Sequence, residues 1–163
     1  MKKIIIFMML TLGLLAQGKI ILGYGLTTNH YKEFDRNADD YEFNESNDLV
    51  TLEYEKNNKS VLLGTFTNSF GNDSVMLLSG YKFDKNNKWF YSIIRAGICK
   101  GYNQVDELPS KTQDFNYTFV NPFVFYKDYS LIGTVGAGYK IGDISLEADI
   151  LGTALVTAIK IEM

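Results

Sequence analysis

One imidazole and a few hydroxyls are the groups in this 163-residue chain with the chemistry of a reactive site. His30 is the only histidine, and it lies in the polar stretch Asn29-His30-Tyr31-Lys32. An imidazole titrates near neutrality and can remove the proton of an attacking hydroxyl. Ser69, beside Asn68, has the hydroxyl of an acyl nucleophile or an oxyanion donor. Asp73-Ser74 is a second acid–hydroxyl pair a few residues on. Each also has a plainer reading. A histidine in a polar loop is ordinarily solvated, and Asn-Ser near Gly71 is common turn chemistry.

The remaining polar groups point less clearly. Asn44-Glu45 could end a loop and pair with a cation inside the fold, such as Arg95. The acidic run from Asp35 to Asp40 does not match the spacing of a known cation-binding loop. It reads as a solvated loop, and neither metal nor cofactor is expected. Cys99 has no intramolecular partner and reads as a small buried apolar residue.

Strands must position these groups. Tyr and Phe number 11 each, Pro only 2 and Gly 14, and no segment keeps a 3.6-residue period. Residues 20–28 alternate, with Ile20, Leu22, Tyr24 and Leu26 on one face and Gly23, Gly25 and Thr27 on the other. Further strands are expected at 49–55, 60–68, 74–83, 89–100, 144–150 and 154–163. Polar turns separate them at 56–59 and 84–88. Residues 115–140 are strand-like but long, and counting them as one bent strand gives eight. Long connections at 29–48 and 101–114 alternate with the short ones, so one rim carries loops and the other turns, as in outer-membrane barrels.

Met1-Lys2-Lys3, the apolar run 4–15 and the small residues Ala16 and Gly18 follow the pattern of a secretory signal, with cleavage after Gly18. The run is too short for a membrane-spanning helix of about 20 residues, so a mature chain in a membrane requires a closed barrel. Without Lys2 and Lys3 the formal charge goes from −3 to −5, which argues against nucleic-acid binding. Glu147 and Asp149 share one parity, Ile144, Leu146, Ala148 and Ile150 the other. Ile159, Ile161 and Met163 likewise oppose Lys160 and Glu162. The expected architecture is a signal peptide at 1–18 and an eight-stranded antiparallel up-and-down transmembrane β-barrel at 19–163. A soluble barrel carrying an apolar ligand is the alternative fold reading, with its apolar faces turned inward.

Several of these stretches together resemble the outer-membrane lipid A palmitoyltransferases, and similar short barrels encoded by bacteriophages. They are Asn29-His30-Tyr31-Lys32, Phe43-Asn44-Glu45, Gly64-Thr65-Phe66-Thr67-Asn68-Ser69-Phe70, Ser79-Gly80-Tyr81 and, loosely, Gly133 to Gly138. Asn44 and Glu45 follow His30 by fourteen and fifteen residues, the family's spacing. The resemblance implies His30 as general base, Ser69 as nucleophile or transition-state donor, and Asn68, where the family has Asp, as orienter of the imidazole. Asn44, Glu45, Lys32 and Arg36 would contact substrate, with Lys100 a further candidate for phosphate. The implied reaction moves an acyl chain from a phospholipid to lipid A at the outer leaflet, by a monomer in the bacterial outer membrane. Gly23, Gly25, Gly136 and Gly138 would leave space for the acyl chain. The reading from another class is a non-catalytic small barrel that modifies the cell surface through its long loops.

Overall fold

A computed structural model describes residues 18–30, 46, 48–68, 72–84, 89–101, 124–126, 129–152 and 154–163. Residues 1–17 of the expected signal peptide, Lys32, Arg36, Asn44, Glu45 and Ser69 lie outside them, as do 115–123 and 127–128 of the expected long strand. Among the described residues there are nine strands: β1 Lys19–His30, β2 Val50–Lys56, β3 Lys59–Thr67, β4 Asp73–Phe83, β5 Phe90–Lys100, β6 Val124–Tyr126, β7 Tyr129–Ile141, β8 Ile144–Leu151 and β9 Ala154–Glu162. All pairings are antiparallel. β1 pairs with β9 in the middle of the sheet order, and β5 at its end pairs back to β7, so eight strands close into a barrel. β6 is a three-residue addition against the loop-side end of β7. The expected bent strand is therefore two strands, β6 and β7, paired antiparallel, and the short one adds nothing to the count of the wall.

One level of the wall runs from Ser130 on β7 through Cys99, Met76, Gly64, Thr51, Gly23, Lys160 and Ser145. It returns to β7 at Lys140, ten residues further along. That stagger tilts the strands by about 40° to the axis, the range in which closed barrels form. The Asn57-Asn58 turn, with φ of 51° and 64°, has the left-handed pair that suits a two-residue hairpin. It belongs to the turn rim, with Phe83, Phe90, the 142–143 turn and Met163. The loop rim carries His30, Asn68, Gly101 and Gly152.

The two faces of the wall are inverted relative to a water-soluble barrel. Glu53 and Glu147 are each 1% exposed, and Arg95 and Lys160 each 4%. Val135 is 61% exposed and Phe90 60%, and Leu22, Val75, Ile94, Leu131, Leu146 and Ile161 also face outward. The alternation of Glu147 and Asp149 against Leu146 and Ile150 is as expected, with the charges inside. A soluble carrier requires the opposite facing, and that alternative fails here. Near the turn rim the outer face becomes aromatic: Tyr81 meets Phe83 edge-on at 4.8 Å, and Tyr139 lies 4.7 Å from Phe90 and 6.3 Å from Trp89. Rings so placed suit the boundary between hydrocarbon and headgroups.

Candidate functional site

The lumen has two halves. Toward the turn rim, charged side chains from opposite walls meet. Arg95 on β5 reaches Glu53 on β2 at 3.0 Å, Glu147 on β8 at 3.0 Å and Asp149 at 3.2 Å. Lys160 on β9 pairs with Glu53 at 2.8 Å and also with Glu147, and the Tyr91 hydroxyl donates to Glu147 at 2.8 Å. Nearer the rim, Lys82 pairs with Glu55 at 3.0 Å, Lys19 with Glu162 at 2.9 Å, and Lys140 also with Glu162. Such groups withstand burial because each has an opposite charge at hydrogen-bonding distance. Among the described residues Arg95 thus takes its partners from β2 and β8; Asn44 and Glu45 lie outside those residues.

The glycines of the inner face belong to this lattice. A Cβ on Gly138 would lie 2.1 Å from the Tyr91 ring, one on Gly136 2.3 Å from Asp149, and one on Gly23 2.2 Å from the Thr51 hydroxyl. Their missing side chains make room for neighbouring strands' polar groups, which corrects the expectation that Gly23, Gly136 and Gly138 leave space for an acyl chain. Toward the loop rim the lumen becomes apolar. Leu49, Leu62, Met76, Leu78 and Cys99 form a buried cluster, with Phe66, Ile132 and Val156 packed against it.

His30 stands at the loop-rim end of β1 and is half-buried, with Nδ1 buried. A bulge sets its direction. Gly25 is opposite Ala158, but Thr27 is opposite Thr157, so β1 carries one extra residue there. An extra residue in one strand reverses the alternation beyond it. Without it, His30 would share the outward parity of Leu22, Tyr24 and Leu26; with it, Thr28 is buried in the lumen and Thr27 turns outward. The outward Thr27 hydroxyl meets that of Thr157 at 2.9 Å. Its expected place opposite Leu26 is therefore corrected by the bulge.

His30 pairs with Ala154, the first residue of β9. The β8–β9 hairpin is low in the wall: Leu151 pairs with Thr134, whereas β7 continues to Tyr129. Among the described residues, 131–133 of β7 have strand partners only on the β5 side.

Asn68 directly follows β3 on the same rim and is 1% exposed. Its amide nitrogen donates to the Ser74 hydroxyl at 3.1 Å and to the Gly101 carbonyl at 2.8 Å, and its oxygen accepts from the Asn72 N–H at 3.0 Å. Its own N–H donates to the Asn72 carbonyl at 2.8 Å. The carboxamide thus closes the β3–β4 connection and ties it to the end of β5. The Asp73-Ser74 pair is divided by the pleat: Ser74 is buried in the lumen and Asp73 is exposed. Lys100 is exposed at the loop rim, its ammonium 5.9 Å from the Tyr129 ring. The lattice around Arg95 was the part sequence reasoning missed; the shared parity of Glu53, Glu55, Arg95, Glu147 and Lys160 was its signal.

Apolar side chains outside and paired charges inside decide the environment. The barrel is embedded in a membrane. No protein-family model and no curated protein matches the chain. Among solved structures it is similar to one described as "De novo design of transmembrane beta-barrels", at 12% identity. The match covers 90% of this chain and 92% of that one, with a TM-score of 0.43. The membrane assignment rests on the facing of the side chains and the closed pairings.

Proposed function

We propose that the protein is a bacterial outer-membrane acyltransferase, moving an acyl chain from an outer-leaflet phospholipid to lipid A or a related lipid. The observation that carries this reading is the bulge that turns His30 toward the interior, at the rim above the apolar half of the lumen. The low wall beside His30, at the β8–β9 hairpin, is where an acyl chain would enter from the leaflet. His30 would take the proton of the acceptor hydroxyl and Ser69 would be nucleophile or oxyanion donor. Lys32, Arg36, Asn44 and Glu45 would hold the lipid headgroups, and the exposed Lys100 would add a cation at their level. The secretory pattern of the first residues and the loop-bearing rim support placement in the outer membrane with the loops outside.

Mass spectra of lipid A from cells expressing the protein test the reading. Added acyl chains are expected with the intact protein and none with His30→Ala or Ser69→Ala, both recovered as folded barrels. Unchanged lipid A with the intact protein sinks it. The second reading, a non-catalytic barrel that modifies the surface, is favoured by one observation: Leu62, Met76, Leu78 and Cys99 already fill part of the apolar lumen. It predicts that those two substitutions leave the phenotype intact while changes to the long connections at 29–48 or 101–114 remove it.

A further inference from the structure

The central ion pairs do not balance. Glu53, Glu147 and Asp149 bring three carboxylates to one level of the lumen, and Arg95 and Lys160 bring two cations. Nearer the turn rim, Lys82 is held by Glu55, and Lys19 and Lys140 by Glu162. Tyr91 reaches Glu147 as a hydroxyl donor. From β1, β3 and β4 the central group is faced by Gly23, Leu62 and Leu78, which carry no charge. A surplus charge is costly where lipid lies outside the wall and an apolar cluster lies above.

Asp149 is the most loosely held of the three. Glu53 and Glu147 each meet both Arg95 and Lys160. Asp149 meets Arg95 through Nη1, at 3.2 and 3.4 Å from its two oxygens. Its side chain is 17% exposed, against 2% for Glu53 and 1% for Glu147. The carboxylate lies over Gly136, where a Cβ would come within 2.3 Å of Oδ1. Thr134 is the next inward residue of β7. It is 8% exposed, and its buried hydroxyl has no hydrogen-bond partner among the described residues. A carboxylate with spare lone pairs and an unmatched hydroxyl are thus neighbours that do not bond to each other. One positive charge between them would join the two oxygens. A sodium ion would be ligated by both, and a proton carried by Asp149 would be donated to Thr134.

We propose that Asp149 and Thr134 form a site that takes up one monovalent cation from solution, a proton or a sodium ion. The site is separate from His30 and independent of acyl transfer. The test is urea unfolding of the full chain in lipid vesicles. Sodium chloride is exchanged for choline chloride at constant ionic strength, and in a second series the pH is varied from about 5 to 9 at fixed sodium. While the site is filled, an ion bound only by the folded barrel lowers the unfolding constant about tenfold for each tenfold rise in its activity. The slope is read as the difference between the wild type and Asp149→Asn, which removes the surplus charge. A difference in the sodium series identifies the alkali ion, and one in the pH series identifies the proton. Asp73→Asn, exposed on the loop rim, keeps the wild-type slope. Thr134→Val retains every charge and needs about tenfold higher ion activity for the same effect. No difference between the wild type and Asp149→Asn in either series overturns the proposal. If Asp149→Asn does not fold, Thr134→Val decides, and uptake equal to that of the wild type overturns the site.

Discussion

Asn68 uses both ends of its carboxamide, donating to Ser74 and Gly101 and accepting from Asn72. An ionised Asp there would have no donor and would set its charge against the Gly101 carbonyl. Asn68→Asp is expected to destabilise the barrel by about 1–3 kcal/mol at neutral pH, the usual cost of leaving buried polar groups unsatisfied. The deficit shrinks at acid pH, because a protonated carboxyl can donate again, whereas Asn68→Ala shows no such recovery. Urea unfolding of the two variants in lipid vesicles at several pH values separates these outcomes. An Asn where the resembled family has Asp therefore suits this chain's own rim. The sequence could not reveal that, because the Gly101 carbonyl comes from 33 residues away along the chain.

At the scale of elements, the bulge in β1 decides which way the one histidine faces. Deleting Leu26 removes the extra residue and leaves Thr28 and His30 on the inner parity, so folding and the facing of His30 are expected to survive. Deleting Asn29 moves His30 to the outer parity. Carbethoxylation of the single imidazole measures this without reference to activity: the Asn29 deletion reacts faster than the wild type, and the Leu26 deletion reacts like it. Equal rates in both deletions would show that the bulge does not aim the ring. Most strands were legible from alternation because one side of each is aliphatic and the other polar, as at 144–150. The bulge was not legible. Gly25-Leu26-Thr27 has no local signature, and the extra residue exists only relative to β9, where Ala158 and Thr157 are consecutive partners. The stretch 115–140 was legible as too long for one simple strand, but the antiparallel pairing of β6 with β7 was not.

For the whole molecule, the stagger of ten residues decides which charges meet across the lumen. Arg95 and Glu53 are 42 residues apart in sequence, and Arg95 and Glu147 are 52. Parity shows that these groups share one face and burial shows that this face is the inner one; their partnership follows from tilt and closure, which a linear pattern does not encode. Removing one partner from a buried ion pair typically costs about 3–5 kcal/mol, because the others keep their desolvation penalty without compensation. Arg95→Met leaves Glu53, Glu147 and Asp149 facing Lys160 and is expected to destabilise the barrel by about that amount. Urea unfolding in vesicles measures it, and a loss below about 1 kcal/mol would mean the lattice adds little to the closed state. The outer belt was the most legible large-scale feature, since it needs only the sign of the alternation.

Cys99 is the chain's single thiol and is 0% exposed within the apolar half of the lumen. Lipid lies beyond the wall on its outer side, and the ion-pair lattice fills the lumen toward the turn rim. A thiol reagent that alkylates it must therefore wait for the staves of the barrel to part, so labelling kinetics would count those partings directly. The molecule carries its own clock for the rupture of its wall.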